Sequence, residues 1–155
     1  MAVRVRTLEP QPGSYVLWLL LPRACRLQVG RLGAADFESG FYAYVGSAFG
    51  PGGVRARLGR HLRVDKSERW HVDYLRAVSR VQCAWVSYEE KRYEHHWACC
   101  LAHLSGAVIP LRGFGSSDCD CKTHLVGFER YPPVTEFKRN LPGRPPDLKV
   151  YMPDL

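Results

Sequence analysis

Several features are missing from this chain, and each absence excludes a class of protein. The longest apolar run, residues 15–21, is far short of the roughly 20 residues that a membrane-spanning helix needs. The opening MAVRVRTLEP carries no apolar core of a secretory signal. Paired C-x2-C knuckles and internal repeats are also absent. Six cysteines occur, at positions 25, 83, 99, 100, 119 and 121, but two are adjacent and they lack the spacing of a secreted disulfide framework. A cytoplasmic protein with reduced thiols and no membrane partner is expected. Negative charge is scarce as well: 15 acidic residues face 22 lysines and arginines, for a net charge of +7 and a pI near 9.3.

At 155 residues and 46% apolar, the chain suits one domain with a well-buried core, not a disordered polymer. Six basic residues, Arg55, Arg57, Arg60, Arg63, Lys66 and Arg69, fall within fifteen positions. Such a block points to a polyanionic partner, although a solvated helix face has the same composition.

Residues 13–21 read as a central strand, and residues 26–29 alternate well enough to form a hairpin with it across Pro22, Arg23 and Ala24. Residues 40–47, aromatic and β-branched between glycines, predict another strand that ends in a glycine-rich turn at 48–53. A helix follows over 54–63, its apolar stripe Val54, Leu58 and Leu62 facing the core. At 100° per residue, Arg57 and His61 lie beside that stripe and Arg63 points away. Residues 70–78 have helical spacing, 81–88 read as a strand, 91–104 as a helix and 124–128 as a last strand. The proline-rich residues 131–155 read as an extended tail, ordered only if it packs on the domain of residues 1–130.

Hydrolysis of a phosphodiester needs a group near the attacking water, a cation near the developing charge and commonly a carboxylate-held metal. Tyr15, Tyr44, Arg57, His61 and Glu94 are the candidates for these roles. Tyrosine, with an ordinary pKa of about 10, serves as a base only where a cation such as Arg57 favours the phenolate, and otherwise holds the water. Strand tyrosines also serve simply as packing residues. Arg57 offers a planar fork to a phosphate oxygen, or else pairs with Glu94 or Asp73. Glu94, in line with Trp97, Ala98 and Leu101, either favours the helix dipole or binds a hard cation, which needs only one or two protein carboxylates.

Gly13-Ser14-Tyr15 and Tyr44-Val45-Gly46, with Arg57-x-x-x-His61 and Glu94 opening EHHWACCLAHL, resemble the GIY-YIG nuclease superfamily. The segments GFYAYVGSAFGPGGVRARLGRHLR, RWHVDYL and GFGSSDCDCKTHLVGF are similar to its Uri-type endonuclease group, a likeness covering about residues 12–128. The resemblance implies a small three-layered α/β domain with a central mixed sheet flanked by helices. It also implies Mg²⁺ or Mn²⁺ on Glu94 and endonuclease action on nucleic acid, DNA before RNA, with branched or damaged DNA as a substrate. Tyr44 or Tyr15 then positions the water, Arg57 clamps the phosphate and His61 assists proton transfer. Arg55, Arg60, Arg63, Lys66, Arg69, His71, Ser116 and Ser117 are the expected nucleic-acid contacts.

The chain departs from the family pattern at Ser14, where isoleucine is usual, and in the interval of 29 positions from Tyr15 to Tyr44. Gly50 to Gly53 lengthen the turn before the arginine helix, and the asparagine that relatives carry after the glutamate has no counterpart. Two other readings stand beside the nuclease. One is a nucleic-acid-binding module without efficient cleavage. The other is a zinc-stabilised interaction domain, with Cys119, Cys121 and His124 as ligands, a fourth from Cys99, Cys100 or His71, and the proline-rich tail binding a partner. The glycines and serines of that loop suit an anion equally.

Overall fold

The computed structural model describes residues 3–63, 67–116 and 122–153. In chain order the elements are β1 (Val3–Val5), β2 (Gly13–Leu21), β3 (Cys25–Val29), β4 (Gly33–Phe37), β5 (Gly40–Ala48), α1 (Gly53–Leu62), α2 (His71–Arg76), β6 (Arg80–Ser87), α3 (Glu94–His103), β7 (Leu125–Phe128), α4 (Val134–Asn140) and β8 (Lys149–Tyr151). Six strands form one sheet in the order β1-β8-β6-β2-β5-β7. Only β1 and β8 are parallel, so the sheet is mixed and the α/β expectation holds.

The unbroken apolar run of β2 occupies the middle of this sheet, where both faces are covered. On one face Tyr15, Leu17, Leu19 and Leu21 pack with Val54 and Leu58 of α1, Val72 and Leu75 of α2, and Phe37 of β4. On the other, Val16 and Trp18 pack with Trp97, Ala98 and Leu101 of α3 and Phe137 of α4. Three layers result.

The expected hairpin between residues 13–21 and 26–29 does not form. Both edges of β2 are taken, by β5 and by β6, and β3 pairs with β4 in a separate two-stranded sheet. The alternating exposure of β3 explains the difference, since a half-solvated strand fits a small outlying ribbon and not a doubly covered centre. The same excursion absorbs the long interval between Tyr15 and Tyr44.

Over residues 131–153 the expected extended tail of 131–155 is not found. This segment supplies α4 and β8, the latter hydrogen-bonded between β6 and β1, and it buries Phe137 completely. The Tyr131 hydroxyl accepts a hydrogen bond from Trp85 Nε1 at 2.9 Å. No helix among the described residues is long and apolar enough to cross a membrane. Phe137 meets both Trp85 and Trp97, so Phe137→Ala should lower the unfolding free energy by about 3–5 kcal/mol. Denaturant titration checks this, and a loss below about 1 kcal/mol would show that the segment is not part of the core.

Candidate active site

The antiparallel register of β2 and β5 sets Tyr15 opposite Gly46 and Leu17 opposite Tyr44. Tyr15 and Tyr44 are therefore diagonal neighbours on one face of the sheet. Gly46 leaves the space that the Tyr15 ring occupies, since a β-carbon there would overlap its phenol oxygen.

Helix α1 begins without a side-chain cap. Its first N–H groups donate to main-chain carbonyls instead, Val54 N to Gln11 O at 2.8 Å and Arg55 N to Glu9 O at 3.0 Å. Gly53, at φ +58, permits this close approach, because any β-carbon there would strike the Gln11 backbone. The longer glycine turn thus seats the helix on the chain just before β2. Val54, Leu58 and His61 form the buried face of α1, with His61 taking the place expected for Leu62, which is only half-buried.

His61 is 1% exposed, and its Nε2 lies 2.9 Å from the Tyr15 hydroxyl. It does not line the cleft itself but contacts Tyr15, which does. Burial, reinforced by Tyr44 and Glu94, pushes the Tyr15 phenol well above its usual range despite Arg57. Burial and Glu94 raise Tyr44 likewise against the pull of Arg57. Both phenols are neutral at pH 7, which suits holding a water and passing its proton along a hydrogen bond.

The cleft has a volume of about 320 Å³ and is lined by Tyr15, Tyr44, Gly46, Ser47, Arg57, Arg69, Trp70, His71, Glu94 and Gly115. Arg57 has no carboxylate partner among the described residues. Its guanidinium carbon sits 4.6 Å from the Trp70 ring centre, and Nη1 reaches the Ser47 carbonyl at 3.4 Å. The expected alternative, an ion pair with Glu94 or Asp73, is absent there.

Arg60 is the one that pairs with Asp73. Its two terminal nitrogens each lie 2.9 Å from an Asp73 oxygen, and it also stacks over Trp70. The backbone N–H groups of Arg69 and Trp70 donate to the same carboxylate at 2.8 Å. Burial alone would raise the Asp73 pKa, but these donors and the Arg60 charge hold it at about 2. Arg60 is thus committed within the protein, whereas Arg55, Arg63 and Arg69 are exposed and Arg69 faces the cleft. Ser116 is 5% exposed and does not line the cleft. Lys66, Ser117, Cys119 and Cys121 lie outside the described residues.

His71 lines the cleft while Asp73 is buried away from it, as their separation on a helix anticipates. The Gly115 N–H donates to His71 Nδ1 at 2.8 Å, leaving the proton on Nε2, and burial lowers the pKa of this imidazole.

Glu94 opens α3 on the far face of the sheet and reaches the cleft beyond the last β5–β7 pair, Tyr44 with Leu125. The Ser47 hydroxyl donates to Oε1 at 2.6 Å, and Oε2 lies 2.9 Å from His124 Nδ1. Burial works against the charged carboxylate, but the hydrogen bonds from His124 and Ser47 outweigh it and lower its pKa. Each oxygen keeps a further lone pair. One anionic carboxylate at a polar cleft fits a hard divalent cation that fills its remaining positions with water and phosphate oxygens. Among the described residues no group of three or more His, Cys, Asp and Glu side chains is placed to cage a metal. His124, considered above for zinc, is the buried partner of Glu94, and Cys25, Cys83, Cys99 and Cys100 are free thiols.

Ser47, His124 and Trp70 are site residues that sequence reasoning did not single out for these roles. Only Trp70, beside Arg69 and His71, carries a signal that could have found it, an aromatic set among basic residues.

These elements coincide with a recognised domain. The chain belongs to the family described as Domain of unknown function DUF123, which matches residues 14–143. The matched span runs from β2 through α4 and so includes Tyr15, Tyr44, Arg57, Glu94 and His124. No curated protein and no solved structure matches the chain.

The Asp73 cluster makes acid stability measurable. A carboxyl with a depressed folded pKa contributes stability above its unfolded value of about 3.9, and this is lost as pH falls towards the folded value of about 2. The melting temperature of the protein should therefore fall between pH 4 and pH 2 more steeply than that of Asp73→Asn, which should be the less stable of the two at pH 7. Parallel curves for the two proteins would contradict the assignment.

Proposed function

We propose that this protein is a metal-dependent phosphodiester hydrolase of the GIY-YIG kind, acting on nucleic acid and on DNA in the first instance. The observation that carries the reading is the convergence on one polar cleft of two neutral tyrosines, an arginine without a carboxylate partner among the described residues and a hydrogen-bonded anionic glutamate. These come from four elements and both faces of the sheet. The net charge of +7 and the exposed Arg55, Arg63 and Arg69 suit a polyanionic substrate.

In this reading Arg57 receives a non-bridging phosphate oxygen, with Trp70 limiting the motion of its side chain. Tyr15 and Tyr44 hold the attacking water. Tyr15 hands a proton towards His61 Nε2, which is positioned for that transfer but shielded from the substrate. Glu94 would hold Mg²⁺ or Mn²⁺, and the bound cation would supply Lewis-acid stabilisation of charge on the phosphate oxygens. Ser47 and His124 keep the carboxylate aimed at the cleft.

The test is a panel of branched, single-stranded and duplex substrates with Mg²⁺ or Mn²⁺. Cleavage should fall by at least about a hundredfold in Glu94→Gln while binding survives. Arg57→Ala should reduce turnover far more than Arg63→Ala, which should mainly weaken binding and lower its salt slope by about one. Equal effects of the two would reduce both to general electrostatics. Wild-type binding without cleavage under any metal would leave a nucleic-acid-binding module of the same fold.

A separate comparison addresses His124. Asparagine places an amide nitrogen near the position of imidazole Nδ1, so His124→Asn should retain much more activity than His124→Ala. If the two variants lose activity equally while remaining folded, the hydrogen bond to Glu94 is not what His124 contributes.

A further inference from the structure

Phe49 and Arg92 neighbour the cleft residues Ser47 and Glu94 in the chain and have no part in the chemistry described above. Their place follows from the Ser47–Glu94 hydrogen bond of 2.6 Å. Phe49 is two residues beyond Ser47, Arg92 is two residues before Glu94, and the Arg92 guanidinium carbon lies 4.2 Å from the Phe49 ring centre. The two chain segments that meet at the carboxylate therefore meet again at this cation and ring.

Arg92 is exposed, Phe49 is half-exposed, and Arg92 has no carboxylate partner among the described residues. A ring and a cation next to residues of the cleft offer what a single nucleic-acid strand requires, a surface for the base and charge for the backbone. A guanidinium suits this better than an ammonium, because its plane can stack on a base and its N–H groups can reach a phosphate.

We propose that Phe49 and Arg92 form a platform for an unpaired nucleotide flanking the phosphate held in the cleft. This rests on the reading of the cleft as a phosphodiester site. Bases inside a duplex have their faces covered by their neighbours, so the platform selects a single strand, an overhang or the unpaired arm of a branch.

The test measures binding without cleavage, by fluorescence anisotropy of labelled oligothymidylate and of a hairpin duplex of similar length in metal-free buffer. Arg92→Ala should weaken oligothymidylate binding by about tenfold and duplex binding by less than about twofold. Arg92→Lys should lose nearly as much single-strand affinity, since it keeps the charge without the plane. Phe49→Leu, which keeps apolar bulk without a ring, should show the same selective loss. Thermal unfolding of each variant serves as the folding control, and Arg92, being exposed, keeps the test independent of Phe49.

Wild-type affinity in Arg92→Lys would overturn the platform, and so would equal losses on both ligands. The two readings fail separately. Selective single-strand binding through Arg92 without cleavage in any metal leaves the platform and removes the hydrolase. Cleavage abolished by Glu94→Gln, with Arg92→Ala indistinguishable from wild type in binding, does the reverse.

Discussion

The site depends on one constraint, the register between β2 and β5. Nine residue pairs hold it, and Tyr15 fits only where its partner is Gly46. In that register Tyr15 and Tyr44 share the face covered by α1, while Ser14 and Ser47 face the side of α3. A slip of one residue would exchange the two sets and bury the phenols against the wrong helix. The same pairing thus determines where the hydroxyls stand and where the anchors of Glu94 stand.

Charged groups buried near the cleft are supported from several directions. The Asp73 carboxylate accepts both arms of Arg60 and two backbone N–H groups, which ties α1 to the start of α2 and holds Trp70 in place. Arg76, also buried, donates to the carbonyls of His61, Leu62 and Ser79, satisfying the end of α1 where acceptors would otherwise lack partners. Removing either arginine would strand several polar groups at once, each at a cost of about 1–3 kcal/mol. The positions of Arg57 and of the His61 side chain rest on this framework.

How much of this was legible in the sequence follows from the range of the interactions. The long strands β2, β5 and β6 and the helices α1 and α3 announce themselves by apolar periodicity, and helical geometry separates His71 from Asp73. The three-residue strands β1 and β8 have no periodicity to read, and α4 is a seven-residue helix hidden among prolines. The ribbon partner of β3 was obscured because β4, GAADF, has little apolar alternation. Arg57 and Arg60 look alike in sequence, and only Asp73, delivered by a different helix, distinguishes the arginine that is neutralised from the one that is not. His124 sits in a segment whose cysteines suggest zinc, and its pairing with Glu94 spans 30 positions that no local pattern connects.

Ser14, where the GIY-YIG tripeptide that the sequence resembles has isoleucine, has a structural role of its own. Its hydroxyl is fully buried and accepts the Tyr93 N–H at 3.2 Å, immediately before Glu94. Isoleucine at this position would fill apolar space but leave that N–H without its acceptor at the head of α3. The serine therefore exchanges some apolar burial for a fixed helix entry. The segment it fixes carries Arg92 to Phe49 and Glu94 to Ser47, so a hydroxyl on the central strand helps set the position of both contacts.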